Sequence, residues 1–105
     1  MKKYKIVVFV PVKHTESVLR AMGDAGAGVM GDYTFCSFTS KGYGRFLPGA
    51  EAKPFIGKSG KLEQVEEDRA EVLCYKDKIK LVLEAMKNSH PYEEVAYDVY
   101  LLEDI

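Results

Sequence analysis

Tyr4-Lys5-Ile6-Val7-Val8-Phe9-Val10-Pro11 is the stretch whose reading decides the fold. It is dense in β-branched residues and apolar at both odd and even positions, the pattern of a central strand covered on two faces. Outward from it, Thr15 to Ala25 places Val18, Leu19, Met22 and Ala25 at helical spacing, with Glu16 at the positive end and Gly26 available as a left-handed cap. A strand followed directly by an amphipathic helix is one half of a split βαβ unit. The second half has the same form. Leu62 to Tyr75 reads as a long strand whose acidic centre, Glu66-Glu67-Asp68, suggests a section that leaves the core or carries a bulge. Asp77 can cap a helix running to about Ser89 with Ile79, Val82, Leu83 and Met86 as its stripe, and Pro91 stops that helix at His90.

Two further strands complete the set. Tyr33 to Ser40 is rich in aromatic and hydroxyl β-formers, and Lys41-Gly42-Tyr43-Gly44 reads as a turn before a short Arg45-Phe46-Leu47 extension. Val95 to Leu102 is the fourth strand, and the interrupted stretch Pro48 to Gly60 is a loop whose Phe55 and Ile56 are apolar enough to need a neighbour. The order β-α-β-β-α-β closes as an α+β, ferredoxin-like sandwich: an antiparallel sheet of order 4-1-3-2 with both helices on one face. At 105 residues the chain is sized for one core, so residues 1–105 are expected to form a single domain.

Composition narrows the function classes. Fifteen Lys and Arg against 16 Asp and Glu give a formal charge of −1, so there is no positive field to gather nucleic acid or an anionic membrane. The apolar run Ile6 to Val12 is too short for a leader or a membrane span, which points to the cytoplasm. Cys36 and Cys74 form no CxxC and are expected to be buried reduced thiols in strands. The apolar excess of a sheet with only one face covered by helices implies an interface through Val7, Phe9, Tyr33 and Phe35, with Phe55 and Ile56 as a further contact, and hence a homo-oligomer of closed symmetry, a trimer being favoured.

The topology brings four segments to one edge, where both histidines fall. His14, His90, Glu93 and Glu94 are there as candidate ligands of a divalent metal ion, and with Tyr92, Gly42 and Gly44 they are candidates for a small-ligand site. The plainer reading makes His90 a helix C-cap, the glutamates a solvated surface and Gly42-Tyr43-Gly44 a hairpin turn. No Ser-His-Asp order, acid–base carboxylate pair or complete metal-ligand set is present, so the residues do not argue for an enzyme or a required cofactor.

Five motifs in order carry a resemblance over nearly the whole chain: Gly26-Ala27-Gly28, Tyr33 to Phe38, Gly42-Tyr43-Gly44-Arg45-Phe46, Pro54-Phe55-Ile56-Gly57 and His90-Pro91-Tyr92-Glu93-Glu94. Together they resemble the inserted middle domain of the Nif-three-like, or dinuclear-metal-centre, family, whose members are often labelled GTP cyclohydrolase type-2 homologues. The resemblance implies a fold similar to the PII and CutA proteins, commonly trimeric. It also implies that the family's two metals are held by flanking domains, outside this stretch, so that the insert here occurs alone. The function expected is then a non-enzymatic oligomer that binds a small ligand or metal ion. The alternatives are an interaction module docking through loop 48–60, or one part of a metal-dependent hydrolase whose ligands lie on another chain.

Overall fold

A computed structural model describes residues 1–105. Strand β1 (Lys3–Pro11) runs through a 3-10 turn, Val12–His14, into helix α1 (Thr15–Asp24). After an irregular link come β2 (Phe38–Phe46) and β3 (Glu63–Tyr75). Strand β3 passes through a second 3-10 turn, Lys76–Lys78, into α2 (Ile79–Ser89), and β4 (Tyr97–Leu102) closes the sheet. The two halves therefore use the same strand, tight turn and helix connection. All pairings are antiparallel and the order is β2-β3-β1-β4, the expected ferredoxin-like arrangement.

The core lies between the helices and one parity of the central strands. Ile6, Val8 and Val10 of β1 and Ala70, Val72 and Cys74 of β3 meet Val18 and Met22 of α1 and Val82 and Met86 of α2. Ile6, Val8, Val10, Met22 and Met86 are fully buried, and each large side chain so removed from water contributes about 1.5–3 kcal/mol. Ile79 and Leu83 pack against this cluster from α2.

The opposite parity forms the open face. Val7 at its centre is buried and Phe9 half-buried, with the Arg69 guanidinium 5.8 Å from the Phe9 ring centroid. Arg69 and Lys5 both reach Glu71, at 3.3 and 3.9 Å. The register puts Phe38 and Tyr100 on this face, 67% and 49% exposed. Tyr33 and Phe35, expected here, are elsewhere. The link before β2 makes an isolated bridge between Met30 and Tyr33, and Phe35 adopts φ 57°, which turns its ring back onto Gly23 and to 5.4 Å from Arg20.

Three local expectations are corrected by long-range contacts. Gly42 and Gly44 lie within β2, paired with Glu67 and Val65 of β3, and do not form a turn. A Cβ at Gly44 would collide with the Glu67 carboxylate, so the glycine serves a close approach between strands. The register of β3 is continuous, so Glu66-Glu67-Asp68 carries no bulge. The other alternative holds, that a section leaves the core: residues 63–66 run past the end of β1, which pairs no further than Pro11 with Glu67, and continue as a two-stranded ribbon with β2. Cys36 is half-buried in the link, whereas Cys74 is buried in β3, where burial and then Asp77 push its thiol up from the usual range. Gly28, at φ 77°, donates to the Leu73 carbonyl at 2.7 Å, and a Cβ there would sit 2.6 Å from the Cys36 carbonyl oxygen.

Candidate functional site

Four segments meet where β1 ends: the Phe9–His14 stretch, the chain after α2, the β2–β3 ribbon, and the loop joining those two strands. His90 is extended, with φ −82° and ψ 138°, as the residue before a proline prefers. Its backbone N–H closes the helix onto Met86 at 3.1 Å, but its ring does not cap the helix. The ring crosses to β1 instead, with Nε2 2.8 Å from the Phe9 carbonyl oxygen, while Nδ1 accepts the Tyr92 N–H at 3.1 Å. A carbonyl can only accept and Nδ1 is already accepting, so the proton resides on Nε2 and the imidazole is neutral. Burial holds its pKa below the usual histidine range, against the opposing influences of the Phe9 carbonyl and Glu67.

The held turn at His90 places Tyr92 over the sheet. Its hydroxyl donates to Glu67 Oε2 at 2.7 Å, and Glu67 is 7% exposed. Burial, then the hydrogen bond to Glu67 and its charge, push the Tyr92 phenol well above its ordinary range. The next residue, Asp68, points to the helix face, where the Thr15 hydroxyl donates to it at 2.7 Å and Lys41 lies 3.5 Å away. The acidic centre of β3 thus splits by strand alternation, one carboxylate to each side of the sheet.

The connection after β2 is pinned at its base by the Gly60 N–H on the Pro48 carbonyl at 2.8 Å. It is also tied to the segment after α2, because the Lys53 N–H donates to Glu93 Oε2 at 2.7 Å. Phe55 meets His14 edge to face, with ring centroids 5.4 Å apart. Between these parts opens a cleft of about 490 Å³. Glu67 and Tyr92 line it, Phe9, Phe46 and Phe55 contribute rings, and Glu93, Glu94 and Arg45 contribute charge. The Phe46 and Tyr92 rings are 6.1 Å apart across it.

Of the residues singled out from sequence, Phe9, Gly44, Tyr92, Glu93, Glu94, Phe55 and Ile56 line this cleft. His90 braces Tyr92, His14 braces Phe55, and Gly42 lies two residues before Gly44 in β2, paired with Glu67. Glu67, Arg45 and Phe46 are not among the site candidates read from the sequence. The available signal was an acid at the centre of a strand, and its meaning depends on a tyrosine 25 residues away. A second cleft, of about 570 Å³, lies between α1 and the link before β2, beside Arg20, Phe35 and Cys36. It gathers no buried charge comparable to Glu67.

No group of three or more His, Cys, Asp or Glu is placed to hold a metal ion. Both His90 nitrogens are engaged, so that ring presents no free lone pair. The dinuclear centre implied by the resemblance finds no fitting ligand set among these residues. No helix is long and apolar enough to cross a membrane.

No family model matches the sequence. A "GTP cyclohydrolase 1 type 2 homolog" of Halalkalibacterium halodurans is 52% identical over 99 residues, covering 94% of this chain and 27% of that protein. The crystal structure of a Bacillus cereus protein related to NIF3 superposes with a TM-score of 0.83 at 48% identity, over 98% of this chain and 26% of the other. The chain is homologous to one segment of the NIF3-related proteins. It spans about a quarter of the length of these relatives. The NIF3-type segment also superposes on the periplasmic divalent cation tolerance protein CutA of Archaeoglobus fulgidus, with a TM-score of 0.70 over 97% of this chain and 85% of that one. At 16% identity this likeness shows the fold, CutA-like and ferredoxin-like.

Proposed function

We propose that this NIF3-type segment is a binding domain and not a catalytic one, with the cleft between the β2–β3 ribbon, loop 48–60 and the Tyr92–Glu94 turn as its small-ligand site. The observation that carries this reading is the Glu67–Tyr92 pair. A largely buried carboxylate, hydrogen-bonded by the phenol of Tyr92, whose backbone N–H is in turn held by a neutral histidine, lies at the wall of an aromatic cleft of about 490 Å³. Preformed cavities of this size with few convergent polar groups are the usual form of a small-molecule site. A fragment screen that includes GTP, ATP and divalent ions, read by amide resonances of the labelled chain, tests it. Shifts confined to Gly44, Phe46, Glu67 and Tyr92 are expected, and a screen whose hits all fall elsewhere would overturn the assignment.

A second reading, compatible with the first, is self-association through the open sheet face. Phe38 and Tyr100 are the exposed rings that favour it, flanking the buried Val7. Light scattering should then give a mass that is a multiple of 11.8 kDa, with Phe38→Glu reducing it to one chain.

A further inference from the structure

We propose that the cleft selects an organic cation, a protonated amine or guanidinium on a flat or alkyl body, whose charged group seats against Glu67. This rests on reading the cleft as a ligand site and adds the class of ligand. Three observations support it. The first is charge: Glu67, Glu93 and Glu94 line the cleft against one guanidinium, Arg45, which makes no ion pair within the chain. An anion entering such a space is repelled, and a neutral molecule gains nothing from the excess.

The second observation concerns the two oxygens of Glu67. Oε2 is occupied by the Tyr92 hydroxyl, whereas Oε1 receives no hydrogen bond and no ion pair from the chain. That oxygen lies over Gly44, in the space a side chain there would fill, and both residues line the cleft. A carboxylate 7% exposed with one free oxygen attracts a cation more strongly than a solvated one, because little water is left to screen it. The third is the wall. Phe9, Tyr43, Phe46, Phe55 and Tyr92 all line this cleft, and the faces of aromatic rings attract cations electrostatically. A buried carboxylate beside several rings is complementary to an alkyl- or arylammonium group, which also has apolar surface to bury.

Three probes of one shape provide the test: phenethylammonium, 2-phenylethanol and 3-phenylpropionate, titrated into the labelled full chain and followed by amide resonances. Phenethylammonium is expected to shift Gly44, Phe46 and Tyr92 and to bind about tenfold or more tighter than the alcohol, with the carboxylate weakest. Glu67→Gln, which retains an acceptor for Tyr92, should weaken the ammonium about tenfold and leave the alcohol unchanged. Glu94→Gln, at an exposed position, should weaken it by a smaller factor and serves if the first variant does not fold. Equal binding of alcohol and ammonium, or tighter binding of the carboxylate, overturns the cation assignment while the cleft remains a ligand site. If none of the three moves a cleft resonance, the cation assignment falls, and a fragment screen equally silent at the cleft removes the binding reading with it.

Discussion

Replacing Tyr92 by Phe removes one oxygen and leaves the ring to pack as before, so it isolates the contact with Glu67. The lost bond is short, 2.7 Å, and its acceptor is a carboxylate 7% exposed. Hydrogen bonds to charged groups contribute about 1.5–3 kcal/mol. The adjoining cleft can admit water to the freed oxygen, which places the expected loss near the lower end, at about 1.5 kcal/mol. For a chain of this size that corresponds to a fall in Tm of about 6–12 °C. Urea denaturation followed by circular dichroism measures it, and a cycle with Glu67→Gln should return a coupling of about 1 kcal/mol between the two positions. The same variant carries a pH signature. The folded chain retains the Tyr92 proton above its ordinary pKa, while the unfolded chain releases it near pH 10, so stability falls as pH rises beyond about 10. That share of the alkaline loss should be absent from Tyr92→Phe. A variant within about 0.3 kcal/mol of the wild type, with no coupling to Glu67 and an unchanged alkaline limb, would refute the reasoning.

At the acid limb the sign reverses: the His90 pKa is depressed in the fold, so its contribution is present above about pH 6.5 and is lost as pH falls through the folded value. His90→Gln should show a shallower loss than the wild type over that window in denaturation midpoints taken from pH 7 to 5. Gly44→Ala and Gly42→Ala form a matched pair, since a Cβ meets the Glu67 carboxylate at the first and nothing within 4 Å at the second. Calorimetry should find the first destabilised by about 1–3 kcal/mol, as for overpacking, and the second neutral or stabilised. Thr15→Val removes the donor to buried Asp68 and should cost about 1–3 kcal/mol in urea unfolding, since Lys41, 72% exposed, contributes little in its place.

The parts of the fold that were legible are those whose cause is local. Ile6 to Val10 is apolar on both parities because helices cover one side and an ion-paired layer with Phe9 occupies the other, and the spacing of Val18 with Met22 and of Val82 with Met86 marks the helix faces. The misread parts have distant causes. Gly42-Tyr43-Gly44 has turn composition, yet Gly44 is there because a carboxylate 23 positions later needs the space, as its collision with a Cβ shows. Tyr33 to Ser37 has strand composition, but the left-handed φ at Phe35 sends its ring to Gly23 of α1. At the candidate site, His90 and Tyr92 stood out because Pro91 fixes the turn between them. Glu67 did not, because a charged residue in a strand reads as solvated until the partner that buries it is known.

The ribbon formed by β2 and residues 63–66 of β3 has a consequence for how a guest could get in. These residues have strand neighbours on one side only, beyond the last pair with β1, and Glu63, Val65 and Phe46 are only half-buried. Amide protons there should exchange with solvent faster than those at Ile6, Val8 and Val72, because parting the ribbon exposes little apolar surface. Access could then come from fraying of this flap while the helix-backed layer stays intact, with the rate of entry governed by a local opening far smaller than global unfolding.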